Sequence, residues 1–164
     1  MRPIMEWLQA SSLAVLIHDK AWVFTTIQVV HVLAISLVIG SIAIVDLRLL
    51  GLRSTKRPVT ELTREVLPWT WAAFVVAAVA GSLMFISQAV AYSMNTTFWI
   101  KISIMAVAAI NMLIFEFITV RSVQNWDLDP APPLAAKLAG GISISCWLLV
   151  FVFGRWTGFT VMPV

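Results

Sequence analysis

Between Lys20 and Asp46 the chain has no Asp, Glu, Lys or Arg, and from Val66 to Ile100 it carries no charge at all. Roughly 20 apolar residues, rising about 1.5 Å each, are enough for a helix to cross some 30 Å of hydrocarbon. Such runs are apolar on every face, whereas the core helix of a soluble protein needs only a stripe. In lipid each backbone N–H and C=O must be bonded inside the segment, which leaves helices or closed barrels. A composition of 60% hydrophobic and 12% charged residues lies outside the soluble range, so the solvent of this chain is a bilayer.

The expected architecture is all-α: one membrane domain over residues 1–164, a four-helix transmembrane bundle with a short N-terminal interfacial helix. Spans are expected at residues 22–45, 69–92, 98–120 and 135–156. Pro68 is placed to start the second, and Asp127-Leu-Asp-Pro-Ala-Pro-Pro133 to keep the connection after the third non-helical. Residues 4–17 contain Glu6, Gln9, Ser11 and Ser12 and have no convincing cleavage site, so they read as mature protein. Ile4, Trp7, Leu8 and Val15 fall on roughly one helical face there, with Leu13 and Ile17 off it, as for a helix lying in the interface.

Seven of the eleven Lys and Arg residues (Arg48, Arg53, Lys56, Arg57, Arg64, Arg121 and Lys137) fall on one side of these spans, and Arg2, Lys20, Lys101 and Arg155 on the other. By the positive-inside rule the first group faces the cytoplasm and both termini face out, to the periplasm of a bacterial inner membrane. Trp22, Trp99 and Trp156 then mark one interface, and Trp69 and Trp71 the other. No aromatic-interleaved basic stripe suggests nucleic acid. No phosphate loop, Cys/His metal spacing or nucleophile–base pattern suggests a hydrolase. Small residues at Ser36/Gly40, Ala73/Ala77/Gly81 and Ala136/Gly140 have the spacing that lets helices approach closely, and Cys146 reads as another small packing residue.

Polar side chains within spans cost a few kcal/mol unless partnered, so each needs a reason. His31 lies roughly 13 Å from the outer edge of the first span, with Gln28 one turn before it. Gln88, Lys101 and Arg155 fall in the same outer half. Together the five make a candidate cofactor site: imidazole is an axial ligand for haem b iron, and Lys101 and Arg155 are placed to neutralise propionates at the surface. A quinone is the lesser option. His18, the only other histidine, lies at or outside the interface, so one chain cannot clamp a haem between two intramembrane histidines. The alternative is that His31 hydrogen-bonds a neighbour and the cations are snorkelling anchors. On the other side, Asp46 and Arg48 cannot pair with each other, being two apart on a helix. Asp46 is expected to meet a basic loop residue or cap the second span. Glu116 is expected to pair with Arg121 or another helix, or to form a proton path with Asn111.

The blocks His31-Val-Leu-Ala-Ile-Ser-Leu-Val-Ile-Gly40, Asp46-Leu-Arg-Leu-Leu-Gly51, Pro68-Trp-Thr-Trp71 and Asn95-Thr-Thr-Phe-Trp-Ile-Lys101 resemble an uncharacterised family of small four-span bacterial inner-membrane proteins. The resemblance covers nearly the whole chain and implies the topology. More loosely, the His of the first span and the Lys opening the third look like HemJ-type protoporphyrinogen oxidases and CopD-type membrane proteins. In the HemJ-type proteins the corresponding residues are associated with haem, which on carry-over touches His31 and Lys101 only. The nearer family often has a further His late in the third span, where this chain reads Ile114-Phe-Glu-Phe117. The expected function is therefore a redox-associated bundle holding haem b or a quinone and passing electrons to, or serving, a partner membrane oxidoreductase. The other reading is a cofactor-free accessory subunit, docked on a larger complex or self-associated through its small-residue faces.

Overall fold

The computed structural model describes residues 2–52, 56–115, 117, 123, 126–129 and 131–161. Seven helices are found among them: α1 (Arg2–Gln9), α2 (Ser12–Asp19), α3 (Ala21–Leu49), α4 (Val59–Ser87), α5 (Ala89–Met94), α6 (Thr96–Ile114) and α7 (Leu134–Thr160). Four of them, α3, α4, α6 and α7, are long and apolar enough to cross a membrane. The chain is a multi-pass membrane protein of four helices with short helices at its N-terminus.

The four spans do not all touch. Helix α3 packs extensively along both α4 and α7, and α7 along α6, giving the spatial order α4–α3–α7–α6. Small residues set the approach where α3 meets α7: a Cβ added at Gly140 would lie 3.0 Å from both the Asp46 carbonyl oxygen and Leu49 Cβ. Ala136 is fully buried beside it. Ala73 and Ala77 are likewise buried on α4, and Cys146 is buried on α7. Ser36 and Gly40 depart from the expected packing role, since both are exposed and nothing lies within 4 Å of a Cβ added at Gly40. Spacing alone does not tell which face of an all-apolar helix meets protein.

Two helix limits differ from those the sequence suggests. Pro68 lies inside α4, not at its start. At 29 residues α4 is about 44 Å long, so its first turns, with Glu61, Arg64 and Glu65, extend beyond the hydrocarbon. They stay helical because they are docked and capped. Val59 and Leu62 are buried, the former in a cluster with Leu49, Val123, Trp126 and Ala136. The Asp127 carboxylate accepts from the Thr60 backbone N–H at 2.9 Å and from the Thr60 hydroxyl, while the Val59 N–H reaches the Asp127 carbonyl at 3.3 Å. Burial alone would raise the Asp127 carboxyl, but these bonds and the Arg48 charge outweigh it and hold it below the ordinary range.

The second difference is a break at the other end of the same helix. Gln88, with φ −142° and ψ 44°, leaves the helical conformation and its N–H turns back to the Phe85 carbonyl. Helix α5 starts anew, and the side chain of Gln9 accepts from the Val90 N–H at 3.1 Å, taking up a donor that the break leaves without a helical partner. The N-terminal segment is also two helices instead of one. Ser11 caps α2 by accepting from the Ala14 N–H. That break changes the register, so the docked residues are Ala14 and Ile17, whereas Ile4, Trp7 and Val15 are exposed.

Candidate functional site

His31, half-buried on α3, is held by α4. Its Nδ1 lies 2.8 Å from the Ala77 carbonyl oxygen. A carbonyl only accepts, so Nδ1 carries the proton, and in the neutral ring Nε2 keeps its lone pair. Gly81, one turn further along, makes the seat: a Cβ there would stand 2.9 Å from His31 Cε1 and 3.4 Å from Nδ1. The Ala77/Gly81 pair, readable in the sequence as packing, supplies both the acceptor and the space for the imidazole.

The ring faces a cavity of about 250 Å³ where the four spans converge. Gln28 and His31 come from α3, Gly81, Met84 and Phe85 from α4, Tyr92 from α5, Phe98 and Lys101 from α6, and Val150 and Arg155 from α7. Four of the five residues expected to share a site do so. Gln88 does not line it. The backbone break places Gln88 at the turn, and Tyr92 from the restarted helix takes a place on the wall.

One wall is aromatic. Phe85 and Phe98 stack with centroids 5.5 Å apart, and Tyr92 lies 5.6 Å from Phe98. Lys101 Nζ stands 4.9 Å from the Phe98 centroid, and its stem runs past Gly154, where an added Cβ would be 3.6 Å from Lys101 Cδ. Arg155 lies over Phe159 at 4.8 Å. Neither cation is within ion-pair distance of a carboxylate among the described residues, where the only ion pairs are Arg2–Glu6, Arg57–Glu61 and Arg57–Glu65. The aromatic wall and Tyr92 carry no signal distinguishing them from lipid-facing residues in the sequence, and Gly81 was marked only as a packing residue.

The opposite end of the bundle is built differently. Arg48 is fully buried. It donates from Nε to the Arg57 carbonyl at 2.9 Å, and from Nη2 to the Asp127 carbonyl at 2.9 Å and the Asp129 carbonyl at 3.1 Å. One side chain thus joins the end of α3 to both loops. Among the described residues, Asp46 neither pairs with a loop cation nor caps α4. It is buried against α7 beside the Ser143 hydroxyl, while Arg57 pairs with Glu61 and Glu65 and Asp127 supplies the cap. Asn111 donates to the Ala139 carbonyl at 3.0 Å, tying α6 to α7. Glu116 and Arg121, the expected pair, lie outside the described residues.

The described residues include no cluster of three or more His, Cys, Asp or Glu able to hold a metal ion. Nε2 of His31, with the tautomer fixed by the Nδ1 bond, is the one imidazole nitrogen at the cavity left free to bind a ligand. Among comparisons with known proteins, no curated protein and no solved structure matches the chain. A family does: residues 4–160 match DUF6644, a family of unknown function, and the chain belongs to it.

Proposed function

We propose that the chain is a redox-associated membrane protein that holds a haem b, or a quinone, in the cavity beside His31. The observation that carries this reading is the His31 Nδ1–Ala77 carbonyl bond of 2.8 Å. A ligating histidine characteristically donates its other N–H to a carbonyl or carboxylate, which fixes the ring and raises its basicity. His31, through Nε2, would be the residue that holds a haem there, and the group when bound would supply one-electron chemistry. The chain's part is to orient the imidazole, exclude water with the Phe85/Phe98 wall, and place Lys101 and Arg155 beside the ligand.

Size favours the second option. Pockets for drug-sized ligands run roughly 300–1,000 Å³, so about 250 Å³ encloses a quinone ring but only part of a macrocycle. Helices α4 and α6 meet at the cavity through the Phe85–Phe98 stack, so a larger ligand would have to displace that stack or extend beyond the cavity. Charge favours haem, whose acidic side chains answer two unpaired cations.

The basic distribution supports a location in a bacterial inner membrane with both termini periplasmic and the cavity in the outer half of the bilayer. The lipid bilayer is one partner; a membrane oxidoreductase exchanging electrons with the cavity is the other. Protein extracted gently from its native membrane tests the reading. A Soret band that His31→Ala abolishes supports haem, and a colourless protein with a co-purifying quinone supports quinone. Colourless, quinone-free protein retained in a larger assembly would instead establish the cofactor-free accessory subunit.

A further inference from the structure

Among the described residues, positive charge at the cavity has no carboxylate counterpart. Lys101 and Arg155 both line it, and the Lys101 stem passes Gly154, the residue next to Arg155, so the two cations share one rim. Six of the seven described acids are engaged elsewhere: Glu6 with Arg2, Glu61 and Glu65 with Arg57, Asp127 with Thr60, Asp129 with the Ala131 N–H, and Asp46 on the buried face of α7; the seventh, Asp19, is exposed at the end of α2. None lines the cavity. The aromatic rings under the two cations favour their charge by the ring quadrupole but do not neutralise it. Around the cations the lining is largely apolar or aromatic, with Met84, Phe85, Phe98, Val150 and Phe151, and His31 and Gln28 are among its few polar members. A site with two cations on one rim and a largely apolar and aromatic lining is complementary to an amphiphilic acid.

We propose that the pocket recognises its ligand through carboxylate, with Lys101 and Arg155 as the recognition pair and the apolar body of the ligand lying toward His31 and Gly81. This deepens the haem reading and rests on it. It assigns the acidic side chains, not the ring, as the part the cations select. Arginine and lysine differ in what they offer: the guanidinium takes a carboxylate through two parallel N–H donors, the ammonium as a point charge.

The test uses the purified full-length chain in nanodiscs and a metal-free porphyrin dicarboxylic acid, mesoporphyrin, beside its dimethyl ester. Without iron, His31 ligation contributes nothing to either. Fluorescence titration should show the free acid binding at least ten-fold more tightly than the ester, and Lys101→Gln/Arg155→Gln should bring that ratio close to one. Equal binding of acid and ester, or binding of neither, overturns the proposal. So does a ratio that persists in the double variant. The haem reading is read separately, from the iron spectrum and its dependence on His31, and survives or fails on its own. The wild-type comparison needs no substitution, so a misfolded variant cannot mask the result.

Discussion

The two ends of the bundle treat their polar side chains in opposite ways. At one end Arg48 gives its donors to three loop carbonyls, Asp127 caps α4, and Asn111 joins α6 to α7. Only Arg48 Nη1 and Asp46 Oδ2 remain there as buried atoms without a partner. At the other end the imidazole is fixed through one nitrogen, two cations lack carboxylates, and a cavity separates them. The first arrangement is structural: its groups bond mainly to the chain itself. The second leaves a lone pair and two charges facing a space, which is the condition for binding something else. A polar residue in a span is therefore informative only once its partners are known.

The comparison predicts different consequences for substitutions at the two ends. The largest effect belongs to Arg48→Met, which leaves three carbonyls without their donor. At roughly 1–3 kcal/mol for each unsatisfied buried group, partly relieved by water at the loops, the loss should be about 3–5 kcal/mol. Thermal or denaturant unfolding in detergent measures it, and any protein that remains folded should keep its ligand. A variant of normal stability that had lost its ligand would erase the distinction between the ends.

Gly81→Ala should come next. Its Cβ forces the His31 ring to move, at about 1–3 kcal/mol for overpacking, and ligand binding should fall more than ten-fold. Unchanged binding would mean the seat is not where the ligand attaches. His31→Ala removes one hydrogen bond, about 1 kcal/mol, yet should remove all axial ligation, so stability and spectrum should separate cleanly.

The smallest effect is at the α4 cap. Asp127→Asn should cost about 1 kcal/mol, as for other lost N-caps, read as faster amide exchange at Val59 and Thr60. The carboxyl is held below its ordinary value in the fold, so its contribution is complete above the unfolded carboxylate range, near 4, and fades as pH falls through the depressed folded value. Protection of the Thr60 amide, taken relative to the intrinsic exchange rate at each pH, should accordingly fall in acid in the wild type and be independent of pH in the Asn variant.

How much of this was readable beforehand follows from what each feature depends on. Charge-free length reveals the four spans because hydrocarbon thickness sets it, and the paired small residues Ala136 and Gly140 mark a true contact. Depth alone placed Gln28, His31, Lys101 and Arg155 in the same half of the bilayer, but whether they share a cavity depends on helix rotation. Rotation was hidden: lipid and protein interior are both apolar, so nothing distinguished Phe85 and Phe98 facing the cavity from Val75 and Val79 facing out. The partners of Arg48 and His31 were equally hidden, being backbone carbonyls, which every residue has. The helical start of α4 before Pro68 depends on a cap from a loop far along the chain, and the break at Gln88 on a side chain from α1.

The claim beneath the whole account is that Nδ1 of His31 is protonated and bonded to α4, leaving Nε2 to ligate. Nitrogen-15 NMR of histidine-labelled protein in bilayers reports this directly, with His18→Gln assigning the one remaining ring. The account predicts a neutral ring protonated at Nδ1, with Nε2 unprotonated and shifted by its bound ligand. A ring protonated at Nε2, or at both nitrogens, in protein that carries its ligand would contradict it.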